Sequence, residues 1–351
     1  MQVDRHSALP LIVGLPGTVL EAPDLDVLRQ VRPVGIILFA RNIDSAETVR
    51  SLVARLQELD PPPFVCIDLE GGRVNRLSRL WGELPSPAKA AAHGRRAVRA
   101  LGDAAGAACR SLGIHLDLAP VVDLETENGR LGAEDRCFDP DPERVAQLAN
   151  TFTDGLAGWC VSGCLKHFPG LGPVSVDTHE ALPEILSGEA EIEHDLRPFR
   201  ELSSRVRMVM VSHAVVPSLG DPERPSSLAP AIIERAASLP GKPVVVTDDL
   251  EMGALSGWGD LGDLTMAALD ARCHGVILSS RFEELSSIAE RLTRKAEQDS
   301  RFAKRLENAA VRLGTLRQGL CRDVAAMPTP SDETVAQLWE AARARVGSIE
   351  P

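Results

Sequence analysis

Eight short runs of apolar, largely β-branched residues recur along the chain, and stretches with helical signals separate them. Most runs are continuous rather than alternating, which is typical of strands buried on both faces of a parallel sheet. Eight strand–helix units in one chain predict an α/β fold, a single (β/α)8 TIM-type barrel. The runs span residues 11–15, 34–40, 64–70, 114–123, 164–168, 206–216, 244–250 and 275–280.

The main competing architecture is a doubly wound open sheet. A dinucleotide-binding chain of that kind carries the spacing G-x-G-x-x-G directly after an early strand. Here the first run leads into GLPG at residues 14–17, which lacks that spacing. A length of 351 residues allows one large barrel or two medium domains, so the absent nucleotide loop favours the barrel.

The last seventy residues predict extra helices rather than more strands. Good helix formers fill residues 301–317 and 333–346, and the breaker MPTPSD separates them. We interpret residues 281–351 as a helical closing segment, so that residues 1–351 form a single catalytic domain.

Composition and charge argue against several classes of partner. The formal net charge of −12 opposes binding to nucleic acid or to an anionic membrane. No tyrosine is present and aromatic residues make up 3%, so a stacking surface for single-stranded nucleic acid is not expected. The apolar run near the start, LPLIVGL, is too short for a signal peptide or a membrane span.

The seven cysteines favour a reducing compartment. Their number is odd and no Cys-x-x-Cys pair exists, which argues against a disulfide framework or a zinc site. We therefore expect a cytoplasmic protein. We also expect a monomer, and no metal or cofactor is implied because side chains can supply the acid/base and the nucleophile.

Polar residues stand where the predicted strands end. Asp68 ends the third strand, His167 the fifth and Asp248 the seventh, and His213 lies late in the sixth. A (β/α)8 barrel gathers the carboxyl ends of its strands at one face, where the active site lies. These four side chains are therefore expected at a single catalytic mouth.

Two segments carry the chemistry. KHFPGLGPVSVDTH, residues 166–179, places Asp177 beside His179 in a loop, and VVVTDDL, residues 244–250, ends in Asp248 and Asp249. A histidine beside an orienting carboxylate, together with a separate carboxylate at a strand end, supplies an acid/base catalyst and a nucleophile. That combination suits the cleavage of a glycosidic bond.

Seven motifs in this order resemble glycoside hydrolase family 3, and specifically its bacterial β-N-acetylhexosaminidases. The resemblance covers about residues 10–280 and implies a single barrel that removes terminal N-acetylglucosamine from cell-wall fragments, in peptidoglycan recycling. The partner it implies is a small carbohydrate substrate. The motifs are IILFARN (36–42), IDLEGGRVNRL (67–77), DLAPVVDL (117–124), KHFPGLG (166–172), DTH (177–179), DLRPF (195–199) and TDDLEMGA (247–254).

The resemblance implies a retaining mechanism. Asp248 matches the nucleophile that forms a glycosyl-enzyme intermediate, and His179 matches a histidine general acid/base oriented by Asp177. A histidine can take this role because its ordinary pKa of about 6.5 lets it give and accept a proton near neutral pH. Asp249 is left as a structural residue or a helix cap.

The resemblance also assigns residues that bind the sugar. For Arg136 a surface salt bridge is the alternative, and His213 can equally line the pocket or be a buried core histidine. Glu70 is expected to be structural, at a loop that Gly71 and Gly72 allow to bend. The implied substrate-binding residues are Asp68, Arg76, Arg136, Lys166, His167 and His213.

The chain departs from the family pattern at several places, among them Cys137-Phe138-Asp139, where the family has Ser-Phe-Gly. Leu171 replaces a histidine in KHFPGHG, and Glu134 stands where the family usually has glycine. The family's Ala-Gly-x-Asp before the eighth strand is here Ala-Arg-Cys-His, with Arg272 and His274 substituted. In the family that Asp contributes at the barrel mouth or to packing.

Three other functions remain open from the sequence. A β-N-acetylglucosaminide phosphorylase would resolve the same intermediate with phosphate, and a β-glucosidase-like enzyme of the same family would act on another sugar. A sugar-binding barrel without activity is the non-enzyme alternative, against which the intact Asp177, His179 and Asp248 argue.

Overall fold

Eight parallel strands close into a barrel in the computed structural model, which describes residues 8–175, 182–325 and 327–347. The first and last strands pair in register, with Leu11 opposite Val276 and Val13 opposite Leu278, so no edge is left open. The predicted (β/α)8 architecture is confirmed. The strands are β1 (Leu9–Gly14), β2 (Pro33–Leu38), β3 (Phe64–Ile67), β4 (Leu116–Asp117), β5 (Ser162–Phe168), β6 (Met208–Val211), β7 (Val244–Asp249) and β8 (Gly275–Leu278).

Helices follow the strands and form the outer layer. Among the described residues, no helix is both long and apolar enough to cross a lipid bilayer. The helices are α1 (Ala22–Val31), α2 (Ala46–Gln57), α3 (Ser78–Trp81), α4 (Pro87–Ala92), α5 (Arg95–Ser111), α6 (Arg130–Ala133), α7 (Pro142–Ala157), α8 (Glu189–Asp195), α9 (Arg197–Leu202), α10 (Pro230–Ala237), α11 (Leu261–Asp270), α12 (Leu285–Gln298), α13 (Ser300–Ala325) and α14 (Asp332–Ala344).

Two predicted strands are shorter in the structure than in the sequence interpretation. The run 114–123 pairs as a strand only over β4, because Pro120 lacks the N–H that a ladder needs. Pairing with β5 resumes at Val121, which bridges Lys166. The run 206–216 is divided into β6 and a short hairpin strand, Val215–Val216, which pairs with Asp221–Pro225.

Helix α13 closes the bottom of the barrel. Its Leu313, Leu316 and Leu320 join the apolar cluster inside the barrel, together with Phe64 and other side chains at the strands' amino ends. Helix α14 packs on α5 instead. Since the bottom is filled with apolar side chains, any polar cavity within the barrel has to open at the carboxyl ends of the strands.

Two buried histidines occupy equivalent positions at the bottom of the barrel. His115 precedes β4 and accepts the Val65 N–H at Nδ1 over 3.0 Å, and His274 precedes β8 and accepts the Val245 N–H at Nδ1 over 2.9 Å. Burial lowers the pKa of both imidazoles to about 4. His274, at which the sequence departs from the family pattern, is therefore a buried packing residue at the end of the barrel opposite its mouth.

The residue two places before each histidine has a left-handed backbone. Gly113 adopts φ 75° before β4, and Arg272 adopts φ 73° before β8. Glycine takes this conformation without a Cβ clash, whereas it costs other L-residues roughly 1–2 kcal/mol. Arg272 is thus held in a strained backbone position where the equivalent turn uses glycine.

The buried histidines predict a loss of stability when the pH falls from 7 to 5. In the unfolded chain a histidine has a pKa of about 6.5. Between pH 6.5 and pH 4 the unfolded state binds more protons than the folded state, so the free energy of unfolding decreases as the pH is lowered. Each of the two histidines should lower the free energy of unfolding by roughly 2 kcal/mol between pH 7 and pH 5. The variant His274→Asn should lose the contribution of His274, while its amide oxygen can still accept the Val245 N–H. Urea unfolding at the two pH values measures this.

His93→Asn is the matched control, because His93 is exposed on the surface. It should leave the difference between the two pH values as it is in the parent chain. The same difference in His274→Asn as in the parent chain would contradict the explanation.

Candidate active site

A polar cavity of about 370 Å³ opens at the carboxyl ends of the strands. This volume lies within the range of ligand pockets, roughly 300–1,000 Å³. Its lining includes most of the site residues expected from the sequence: Asp68, Arg76, Arg136, Lys166, His167 and Asp248.

Glu70 is the buried centre of the charged wall. Its side chain is 1% exposed, and it accepts two hydrogen bonds from the Arg136 guanidinium, from Nε over 2.8 Å and from Nη2 over 2.9 Å. Its other close partner is Lys166 Nζ at 2.6 Å. Burial alone would raise the pKa of Glu70, but Arg136 and Lys166 outweigh it and hold that pKa well below its usual range.

The role of Glu70 is thus more specific than the expected loop residue. Gly71 and Gly72 do have positive φ angles, 96° and 56°, so the predicted bend is present. The carboxylate itself holds two expected sugar-binding cations in place. Arg136 belongs to this buried network rather than to a surface salt bridge.

Asp68 lies between two cations at the cavity wall. Lys166 Nζ donates to its Oδ1 over 2.8 Å, and Arg76 Nη2 is 3.7 Å from its Oδ2. Lys166 carries three donors. Two of these are directed to Asp68 and Glu70, which leaves one for a ligand in the cavity.

Asp123 orients His167, and the sequence analysis missed it. Its Oδ2 lies 2.6 Å from Nδ1 of His167, and its carboxylate also accepts the backbone N–H groups of His167 and Leu171. A carboxylate that accepts from Nδ1 fixes a proton there and leaves Nε2 for a ligand in the cavity. The signal was present, since Asp123 ends the fourth apolar run and is the second aspartate of the motif DLAPVVDL.

Asp248 stands at the end of β7, where it lines the cavity. Burial alone would raise its pKa, but electrostatic interactions with His167 and His213 and the backbone N–H of Asp249 outweigh it and lower the pKa. The neighbouring Asp249 behaves differently, because burial raises its pKa to about 6. Asp248 is therefore the more acidic carboxylate of the pair, and it stays ionised well below neutral pH.

Asp249 and His213 form a support behind Asp248. Asp249 Oδ1 accepts the N–H groups of Glu251 and Ser279, and its carbonyl oxygen accepts from Nε2 of His213 over 2.9 Å. Nδ1 of His213 lies 2.7 Å from Ser227 Oγ. His213 is 1% exposed and is absent from the cavity lining, so this geometry favours the buried alternative for it.

The predicted acid/base pair, Asp177 and His179, lies outside the described residues. The chain on either side is placed. Val174 lines the cavity and its carbonyl oxygen accepts the N–H of Arg130, and Ile185 donates its N–H to the Val215 carbonyl. The described chain therefore lines the cavity up to Val174, three residues before Asp177 in the sequence.

Arginine side chains gather around Glu134 at the cavity rim. Arg73 Nη1 lies 3.0 Å and Arg130 Nε 2.9 Å from one oxygen of Glu134, and Arg136 Nη1 lies 3.7 Å from the other. Arg136 thus contacts both Glu134 and Glu70. The Arg73 side chain is 59% exposed and faces solvent beside the opening.

Part of the cavity is apolar. Leu171 is 4% exposed and lines it next to Val174, while its N–H is bonded to Asp123. The departure from histidine at this position therefore alters the wall and leaves the backbone anchor intact. Phe39 is the one aromatic side chain among the described lining residues, and the Arg76 guanidinium lies 5.8 Å from its ring centre.

No group of histidine, cysteine, aspartate and glutamate within the described ranges is arranged to hold a metal ion. The chemistry available in the cavity is that of an ionised carboxylate, hydrogen-bond donors and an oriented imidazole.

Comparison with known proteins places the chain in a family. The profile described as the glycosyl hydrolase family 3 N terminal domain matches residues 21–316, which is most of the sequence. This chain belongs to glycosyl hydrolase family 3. It is a glycoside hydrolase, as the sequence motifs predicted, rather than a binding barrel without activity.

Relatives within the family cover most of the chain. A protein named β-hexosaminidase from Pseudomonas aeruginosa is 33% identical over 279 residues, which are 77% of this chain and 82% of that protein. A solved family 3 β-N-acetylglucosaminidase from Paenibacillus has a TM-score of 0.88 at 26% identity, covering 99% of this chain and 69% of that one. A solved β-N-acetylhexosaminidase from Beutenbergia cavernae has a TM-score of 0.81 at 26% identity, covering 91% and 99%.

Replacing Glu70 tests the buried charge network of this family 3 enzyme. Glu70→Gln leaves Lys166 and Arg136 buried without their shared anion, and loss of one partner of a buried pair costs roughly 3–5 kcal/mol. We expect a fall of that size in the free energy of unfolding, together with a raised KM because both cations lose their position. Urea unfolding and steady-state kinetics measure the two effects.

Glu58→Gln is the control substitution, since Glu58 pairs with Arg55 on the surface, where 62% of its side chain is exposed. Such a pair contributes about 0–1 kcal/mol. Equal losses of stability in the two variants would show that the Glu70 network does not hold the site.

Proposed function

We propose that this protein is a retaining exo-β-N-acetylglucosaminidase that removes terminal β-linked N-acetylglucosamine from muropeptides, as a cytoplasmic monomer engaged in peptidoglycan recycling. The names of its relatives support this sugar. The observation that carries the proposal is Asp248, an ionised carboxylate that shares one cavity with the Asp68–Lys166 pair and His167. A nucleophile and groups that can grip hydroxyls thus surround the same space.

The sugar ring is held by side chains that line the cavity and still have hydrogen-bond donors or acceptors available. Asp68 accepts from hydroxyl groups, the remaining donor of Lys166 gives to one, and Nε2 of His167 hydrogen-bonds to another. Arg76 and Arg136 supply further donors at the same wall. Hydrogen bonds to charged groups are strong in such a site, which fixes the anomeric carbon relative to Asp248.

The first step forms a covalent intermediate. An oxygen of Asp248 attacks the anomeric carbon, the bond to the leaving-group oxygen breaks, and His179 gives that oxygen its proton. The low pKa of Asp248 keeps its carboxylate ionised for this attack. In the second step His179 accepts a proton from water, which displaces Asp248 and restores the original configuration at the anomeric carbon.

His179 and Asp177 take the acid/base and orienting roles in this proposal on the strength of their motif. Their neighbours support it, since the chain reaches the rim of the cavity at Val174, immediately before the segment that contains both. Asp177 would accept from the imidazole and stabilise its protonated form, as orienting carboxylates beside catalytic histidines do.

The arginines at the rim support a leaving group that carries carboxylates, as muropeptides do. Arg73 contacts Glu134, yet 59% of its side chain is exposed beside the opening, so its guanidinium group keeps donors for such a leaving group. Val174, next to the segment of the proposed acid, lies on the same side, because its carbonyl oxygen is bonded to the Arg130 N–H. The proton donor and the cations would therefore meet the same leaving group.

Asp248→Asn tests the function. Loss of the nucleophile should lower kcat/KM for an aryl N-acetyl-β-glucosaminide by roughly four to six orders of magnitude. Asp249→Asn is the adjacent control, because its amide oxygen can still accept the two N–H groups, and it should retain far more activity. Turnover by Asp248→Asn equal to that of the parent enzyme would refute the assignment.

The products of the parent enzyme separate the remaining alternatives. Free N-acetylglucosamine in the presence of phosphate is expected. Sugar 1-phosphate as the main product would indicate a phosphorylase, and faster cleavage of the matching β-glucoside would indicate a β-glucosidase-like enzyme.

Arg73→Ala tests the leaving-group side. It removes one charged donor, which is worth about 1.4 kcal/mol or less at an exposed position, so kcat/KM for an aryl glycoside with a carboxylate on the leaving group should fall up to about tenfold. The value for the neutral aryl glycoside should change little. Arg79→Ala, which removes an exposed arginine paired with Asp44, is the control. Equal effects of Arg73→Ala on the two substrates would contradict a role in recognising the anion.

A further inference from the structure

A second cavity, of about 330 Å³, lies away from the catalytic mouth. It is bounded by α10, by the turn that precedes β8 and by the first part of α13. Its wall combines apolar side chains with a set of hydrogen-bond donors. Those that matter for its chemistry are Ile233, Arg272, His274, Lys304, Arg305 and Asn308.

His274 is a buried donor in this wall. His274 is 5% exposed, and its Nδ1 accepts the Val245 N–H. The ring proton is therefore on Nε2, because a neutral imidazole carries only one. Nε2 makes no hydrogen bond to any residue in the described part of the chain, so this N–H is available to a molecule in the cavity.

The charged residues around the cavity favour an anion. Arg272, Lys304 and Arg305 line it together with Glu234, which lies 3.4 Å from Arg272 Nη1. Arg305 is also paired with Asp270 beside the cavity. Three cations against two carboxylates leave one positive charge, and an arginine that is bonded on one side keeps other donors of its fork.

The turn that carries Arg272 recurs before several strands of this barrel. Gly113 takes nearly the same φ before β4, and Arg32, Cys160 and Lys242 take positive φ angles before β2, β5 and β7. The turn therefore does not require arginine, and at position 272 the arginine adds a cation to the cavity wall.

We propose that this cavity binds a small oxyanion of the phosphate or phosphate-monoester class. Nε2–H of His274 would donate to one oxygen from the buried side, and Arg272, Lys304 and Arg305 would donate from the rim. The apolar side chain of Ile233 offers a surface on which the organic part of a monoester would pack. The site is separate from the catalytic cavity, so its failure would leave the glycosidase proposal untouched.

The test follows the ring signals of the two equivalent histidines in one NMR spectrum. The full-length chain is labelled with carbon-13 in its histidines, and the His274 and His115 ring signals are assigned from His274→Asn and His115→Asn. Inorganic phosphate is then titrated against potassium chloride of the same ionic strength. We expect a saturable shift of the His274 signal at millimolar phosphate and none at His115, which is 4% exposed and does not line the cavity.

Two variants locate the ligand. Arg272→Gly removes a cation and also relieves the backbone, and Lys304→Ala removes a cation from an exposed position on α13, where folding should not suffer. Each should weaken phosphate binding roughly tenfold, as the loss of one charge-assisted hydrogen bond does. Repeating the titration with a hexose 6-phosphate distinguishes the ligands, since tighter binding than inorganic phosphate indicates a monoester and equal binding indicates phosphate itself.

Three results would overturn the proposal. They are an unmoved His274 signal, an equal shift at His115, and affinities in Arg272→Gly and Lys304→Ala that match the parent chain. Thermal unfolding of each variant confirms that it is folded under the conditions of the titration.

Discussion

Closure of eight parallel strands is the constraint from which the rest of the structure follows. Because β1 pairs with β8, every strand's carboxyl end is brought to one rim, and residues as distant in sequence as Asp68 and Asp248 line one cavity. Apolar side chains of α13 fill the opposite end. The polar side chains of the cavity are thereby confined to one opening. The loops that follow the strands form this opening and can vary without disturbing the core.

Within that opening, buried charge does the positioning. Glu70 is almost fully covered and survives as an anion only because Arg136 and Lys166 satisfy both of its oxygens. Asp123 acts in the same way on His167 from the next strand. Such groups are costly to bury alone, so each holds its partner in one orientation. The result is a wall whose donors and acceptors are fixed before a sugar arrives.

The sequence was sufficient for the architecture because its apolar runs are continuous and regularly spaced. It was also sufficient for most of the residues at the mouth, since carboxylates and histidines at strand ends are conspicuous. It was insufficient for Asp123 and for the true partners of Glu70, because these depend on which neighbouring strand each side chain meets. The early end of β4 at Asp117 followed from Pro120, a local signal that the continuous apolar run obscured.

The central claim is that the carboxylate of Asp248 becomes bonded to the sugar. The most direct measurement is mass spectrometry of the enzyme after brief reaction with a fluorinated N-acetylglucosaminide whose intermediate breaks down slowly. We expect an added mass of one sugar unit, localised by peptide fragmentation to Asp248. A sugar attached to another residue such as Asp249, or product formation from the same substrate with no covalent adduct at any time, would contradict the claim.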